Sequence, residues 1–220
     1  MYAVIFEVVP RPEAWDTYLG YAKQLRPKLE QTEGFVENER FASLRRPGWL
    51  LSLSIWRDEA AVIRWRNHAG HREIQQKGRE EVFRDYRLRV GKIIADTHSA
   101  TGQSLGEEHG SKTTAAAQFV ALAEPARKDM PPNPDPAAIA ARLGVNVEGA
   151  EAWDVFESIY QPGKFVSLAS WRDIATEEAP PLQAMHDIRH RRVRVVRDYG
   201  MFARAEAPQY YPPVLRGRIG

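Results

Sequence analysis

The stretch FASLRRPGWLLSLSIWRD at positions 41–58 returns as FESIYQPGKFVSLASWRD at positions 156–173. Phe, Ser, Pro-Gly, Ser-Leu and Trp-Arg-Asp recur in register at a constant offset of 115, from Phe41 to Phe156 and from Asp58 to Asp173. The same offset pairs Pro10 with Pro125, Gly34 with Gly149 and His71 with His186. Asp85-Tyr86 returns as Asp198-Tyr199 at an offset of 113, which predicts the loss of two residues ahead of the second copy's last strand. A match of this length implies duplication of one supersecondary unit, and it confines the fold to architectures built from two such units. Between the copies lies DTHSATGQSLGEEHGSK, rich in Gly, Ser and charge and without an apolar period, which is linker chemistry. The division expected is a first unit at 1–95, a linker at 96–112, a second, diverged unit at 113–207 and a tail at 208–220. His98 and His109 are read as solvated linker residues.

Each copy resolves into six elements. Tyr2 to Val9 is a short apolar, β-branched and aromatic run that predicts a strand, ended by Pro10 and Pro12. Trp15, Tyr18, Leu19, Ala22, Leu25 and Leu29 recur at helical spacing and predict an amphipathic helix over 13–30, with Gly34 as its stop. Phe35 to Leu44 and Trp49 to Trp56 form a hairpin around the turn signal Pro47-Gly48. Asp58 is placed as an N-cap. Helical sequence continues from it to about Glu81, with a break expected near Ala69-Gly70. Tyr86, Leu88 and Val90 then alternate with Asp85, Arg87 and Arg89 in a fourth strand. The order is β-α-β-β-α-β, the ferredoxin-like arrangement. The second copy is less clean: a strand at Gln118 to Ala123, a short helix at Ala137 to Leu143, and Pro180-Pro181 inside its second helical region. A four-stranded sheet with helices on one face needs cover on the other. The expectation is therefore an α+β fold of two tandem ferredoxin-like units, sheet against sheet, in an assembly of the dimeric α/β-barrel type.

Composition removes several function classes. The 31 Lys and Arg against 29 Asp and Glu leave a formal charge of +2, and the basic runs are broken by apolar residues, so no nucleic-acid partner is expected. With no cysteine, disulfides, thiolate metal sites and a Cys nucleophile are absent, which fits the cytoplasm. No apolar stretch nears the roughly 20 residues that span a bilayer, so no membrane partner is expected. The N-terminus reads as a strand rather than a signal peptide. Gly-rich phosphate loops, dinucleotide fingerprints and nucleophile elbows do not occur.

Gly34-Phe35 before the second strand, Ser-x-Trp-Arg-Asp-Glu at 54–59, Trp65 and His71 on the following helix and Tyr86 in the last strand resemble the antibiotic biosynthesis monooxygenase family. The resemblance covers about residues 2–95 well and 116–206 loosely. It implies a small-molecule site between sheet and second helix. It also implies chemistry similar to cofactor-independent quinone-forming oxygenases or to haem-degrading ones. The haem-degrading branch carries an Asn in the first strand, and here that strand reads YAVIFEV. The resemblance therefore points to the first branch, with no cofactor.

The densest polar and aromatic stretch is RWRNHAGHREIQ, 64–75. Arg64, His68, His71 and Gln75 would share one face of an unbroken helix. A cofactor-independent oxygenase deprotonates a phenol or enol so that the carbanion can reduce dioxygen. His71, Arg72 and Tyr86 are the candidate catalytic residues for this, His being the side chain poised for proton transfer near neutral pH. Trp65, His68 and Gln75 are the candidate substrate-binding residues. His68 and His71 lack a carboxylate at ligand spacing, so no metal is expected. The reading is a cofactor-independent monooxygenase-like protein for a small aromatic or enolic compound. The alternatives are a non-catalytic small-molecule-binding or stress-response protein of the same fold, and a structural subunit whose sheets serve assembly. A homodimer is compatible with all three, with the tail at 209–215 docking on a neighbouring unit or chain.

Overall fold

A computed structural model of the chain describes residues 1–98, 118–125, 135–145, 147–171 and 187–208. The linker beyond His98, Asp173, Pro180-Pro181, His186 and the tail from Gln209 lie outside the described residues.

The first repeat runs β1 (Tyr2–Pro10), α1 (Trp15–Glu30), β2 (Phe35–Ser43), β3 (Leu50–Trp56), α2 (Glu59–Asn67), α3 (Ala69–Lys77) and β4 (Phe83–Asp96). The second runs β5 (Phe119–Pro125), α4 (Pro136–Arg142), β6 (Ala152–Ser158), β7 (Phe165–Trp171) and β8 (Ile188–Gly200). The fold is α+β, ferredoxin-like and present twice, of the dimeric α/β-barrel class. The strands hydrogen-bond in the order β1-β3-β2-β6-β7-β5-β8-β4. Compactness divides the chain into one unit of Met1–Glu39, Gly48–Val90 and Arg197–Gly220, and another of Arg40–Pro47 and Gly91–Val196.

Turn chemistry repeats with the sequence. Gly48 and Gly163, one repeat apart, both hold a left-handed backbone, at φ +82° and +81°, which is what closes each hairpin without a Cβ clash. Gly34 and Gly149 do the same ahead of β2 and β6, at +84° and +70°. Asp58 caps α2, its carboxylate accepting from the Ala61 N–H at 2.7 Å. Asp135 caps α4 by the same bond to Ala138.

In the first unit β1 lies antiparallel to β3, with Tyr2 opposite Trp56, Val4 opposite Ser54 and Phe6 opposite Ser52. Opposed residues share a face, so these six side chains stand on one side of the pair. Ala3, Ile5 and Glu7 stand on the other, opposite Ile55, Leu53 and Leu51. That second face is buried and carries the ion pair of Glu7 with Arg89. The sequence pattern placed Arg89 with the exposed residues of β4. It is buried instead, while Leu88 is only half-buried. Burial drives the Arg89 guanidinium below its ordinary pKa, and the Glu7 carboxylate opposes that.

The ion pairing between strands corrects the register of the repeat. Arg87 pairs with Asp198 and Arg189 with Asp96, so Arg87 answers to Arg189 and Asp96 to Asp198, each 102 positions on, and the second repeat is thirteen residues shorter here, not two. At that offset Arg89, paired with Glu7, is matched by Arg191, paired with Glu124, and Tyr86 is matched by Ile188. Asp198, which sequence alone aligned with Asp85, is the ion partner of Arg87 at 2.6 Å.

Candidate functional site

The face of β1–β3 that bears Tyr2, Val4 and Phe6 is the one the helices cover. Trp65 of α2 stacks on Trp56, ring centroids 6.5 Å apart, and Tyr18 of α1 meets Phe83, which meets Phe6 at 5.8 Å. Tyr2, Val4, Phe6 and Ser52 are only half-buried, whereas Ala3 and Ile5 across the sheet are at 0% exposure. This side of the unit is therefore incompletely filled.

At one end stand the histidines. The helix does not run unbroken through 64–75. His68 takes φ −60° and ψ 126°, ending α2 and opening α3. The break falls one residue before the expected position and gives the two histidines different settings. The His71 ring stacks on Trp65 at 4.3 Å and 18° between planes. Its Nδ1 lies 3.0 Å from the Trp65 carbonyl oxygen and its Nε2 lies 3.4 Å from the Gln75 amide nitrogen. A carbonyl only accepts, so Nδ1 carries the proton, and Nε2 is left with its lone pair toward Gln75. His68 touches the same indole at 5.7 Å, and its Nδ1 is buried with no hydrogen-bond partner among the described residues. Trp56 is fixed from behind, its indole N–H donating to Ser54 Oγ at 2.9 Å.

At the other end stands Tyr86, 7% exposed, packed on Phe6 at 5.6 Å and on Phe83 at 6.0 Å. Its hydroxyl oxygen accepts from Arg79 Nη1 at 2.7 Å and from Arg204 Nη1 at 2.8 Å. Arg79 sits in the π-helical turn Gly78–Val82 that joins α3 to β4. Arg204 arrives from the segment after β8, which is pinned by Met201 N–H to the Tyr86 carbonyl at 3.1 Å. Gly200 makes that approach possible, because a Cβ there would stand 2.7 Å from the Tyr86 oxygen. Tyr2 and Phe6 are four residues apart on β1, so the two ends are separated by roughly 13 Å.

The expected residues are thus distributed as follows. Trp65, His71 and Gln75 come together, with His68 at their edge. Tyr86 is on the same covered face but at its far end. Arg72 is exposed, and among the described residues no side-chain bond joins it to the others. Sequence reasoning missed Arg79, Arg204, Ser54 and Asn38. Asn38 donates to Ser52 Oγ at 3.1 Å and to the Leu53 carbonyl at 3.0 Å. Ser54 was legible in principle, being two residues from Trp56 and hence on its face. Arg204 was not, lying 118 positions from Tyr86. Among the described residues no three of His, Cys, Asp and Glu gather in a metal-holding group, and no helix is long and apolar enough to cross a membrane. At the mouth of α2, the Asp58 carboxyl is held below its ordinary range by the Ala61 N–H and then by Arg57.

Residues 1–77 match the family model described as antibiotic biosynthesis monooxygenase. A protein of Pyricularia oryzae named jasmonate monooxygenase ABM is 42% identical over 221 residues, covering 97% of this chain and 99% of its own length. A solved structure described as an antibiotic biosynthesis monooxygenase is 20% identical, covers 43% of this chain and all of its own, and has a TM-score of 0.39. A putative monooxygenase from Lactobacillus acidophilus NCFM is 8% identical, covers 90% of this chain and 94% of its own, and has a TM-score of 0.40.

Proposed function

The chain belongs to the antibiotic biosynthesis monooxygenase family, its role is monooxygenase-like, and we propose that it oxygenates a small aromatic or enolic compound without a cofactor. The observation that carries the proposal is the tautomer of His71. The Trp65 carbonyl holds the proton on Nδ1, which makes Nε2 the basic nitrogen, and a substrate proton would reach it in place of the Gln75 amide. The Gln75 amide near Nε2 orients the ring, and the Trp65 indole covers its face.

The chemistry needs only substrate and dioxygen. Nε2 takes a proton from an activated CH2, and the carbanion reduces dioxygen and joins it as a peroxide. Loss of water then leaves a carbonyl, so CH2 and O2 become C=O and H2O and the substrate supplies all the electrons. The half-buried face beside Trp56 and Trp65 offers apolar cover, which keeps the carbanion from water. Arg72, being exposed, has no part in this reading.

The relative's name makes jasmonate, a ketone with activated α-hydrogens, the first compound to assay. Oxygen uptake should match product one to one. The product should gain one oxygen and lose two hydrogens, with one atom of label from 18O2. Product formed only with an added reductant, or one that gains oxygen without losing hydrogen, would sink the cofactor-independent reading. Binding without oxygen uptake would leave the non-catalytic alternative.

A further inference from the structure

We propose that Arg79, Tyr86 and Arg204 form an anchor for the carboxylate of the substrate, so that the compound oxygenated is a small carboxylic acid lying along the covered face of β1–β3. The inference rests on the reading of His71 as the base and names the class of molecule it would act on.

Three observations carry it. Both guanidinium groups donate to one neutral oxygen, at 2.7 and 2.8 Å, so the two positive charges are held close together around Tyr86. Next, the Tyr86 hydroxyl receives both of those bonds, and among the described residues no acceptor takes its own hydrogen. A 93% buried hydroxyl with an undirected proton beside two cations matches a carboxylate, whose oxygens only accept. Finally, the walls are aromatic. Phe6, half-buried, and Phe83 pack on the Tyr86 ring, so an anion entering here leaves bulk water and its bonds strengthen.

Distance decides which anion. A carbanion or enolate formed at His71 would lie against Trp65, and Tyr86 is roughly 13 Å away along β1. That is too far for Tyr86 to bond the reacting group. It suits a second charge on the same molecule, on the order of 10 Å from the carbon that loses its proton. The segment bearing Arg204 follows β8 yet belongs to the first compact unit, so this anchor is assembled from residues of both repeats.

The test measures binding to the full chain under nitrogen, by quenching of tryptophan fluorescence, with four probes: jasmonate, methyl jasmonate, 4-phenylbutyrate and its methyl ester. The parent protein should bind at least one acid roughly ten- to a hundredfold tighter than its ester, the range expected of charge-assisted bonds. Arg204→Gln and Tyr86→Phe should erase that preference while ester binding stays within about twofold, and Arg204→Lys should keep part of it. Circular dichroism melts establish that each variant is folded, and Tyr86→Phe, which retains the ring, serves if Arg204→Gln does not fold. Acid and ester bound alike by the parent, equal weakening of both by Arg204→Gln, or no binding of either acid would overturn the proposal. Because no oxygen is present, a protein that discriminates acid from ester but never consumes oxygen would refute the oxygenase reading and leave the anchor standing.

Discussion

The two repeats share a strand-turn-strand core and differ in what they do with the space beside it. In the first, Trp56 ends β3 against Trp65, and the neighbouring Tyr2, Val4, Phe6, Trp65, His71 and Gln75 are all half-buried. In the second, Trp171 ends β7 within a cluster of Ala123, Ile139, Ala140, Leu143, Val155 and Phe165, and every residue of β7 is buried. Among the described residues the strands of the second repeat are the more fully buried, while the first keeps half-buried aromatic and polar groups beside its hairpin. Individual positions tell the same story. Where the first repeat has Asn38, the second has Trp153, with the Arg45 guanidinium 3.6 Å above its ring. Where the first has Phe6, opposite Ser52, the second has Ala123, opposite Ser167. Where the first has Tyr86, the second has Ile188, packed in that same cluster. Close-packed interiors leave no room for a ligand, so the difference among the described residues supports the proposal that the site lies in the first copy.

The contrast can be broken most forcefully at the histidines. His71→Ala should lower the oxygenation rate by about 10²- to 10⁴-fold, the usual cost of losing a positioned base. His186→Ala, one repeat on, should leave the rate near that of the parent. Equal losses in steady-state assays of the two variants would mean two working sites. Next in size is the buried ion pair of the first unit. Glu7→Gln leaves the Arg89 charge without its carboxylate and should cost about 3–5 kcal/mol in urea unfolding, whereas the double replacement Glu7→Leu with Arg89→Met should recover most of it. Glu124→Gln should cost less, because the Glu124 side chain is 16% exposed against 7% for Glu7.

A smaller effect is expected at Ser54. Replacing it with Ala strands the buried Trp56 indole N–H and should destabilise by about 1–3 kcal/mol. The second repeat already has Ala169 at this place, so Ala169→Ser there should bring no comparable gain. Melting curves of the two reciprocal variants compare them directly. The smallest effect belongs to Asp58→Asn, which weakens the cap of α2 and should lower Tm modestly at neutral pH. The folded Asp58 carboxyl titrates below its unfolded value, so its contribution is present above the ordinary aspartate range and is lost as pH falls through the lowered value. The Tm difference between parent and variant should therefore shrink in strong acid, and a difference that grew there would contradict the sign.

What the sequence determined by itself is the duplication, the order of elements in the first copy, its hairpin turn, the cap at Asp58 and the gathering of Trp65, His71 and Gln75. All of these rest on local rules: turn glycines with positive φ, side-chain periods of two and 3.6, and contacts between residues within about ten positions. Tertiary structure alone decided the rest. The pattern Asp85-Tyr86 and Asp198-Tyr199 looked like one more repeated pair, but strand register is set by which neighbour a strand pairs with and which face it buries, and those matched Tyr86 with Ile188 and Arg89 with Arg191. The same is true of Arg89, whose charge marked it for the surface until Glu7 on another strand took it inside. Arg204 reaches Tyr86 across 118 positions through the chain's return after β8. Nothing within a turn or two of either residue encodes that meeting, because it depends on where two distant backbones run side by side.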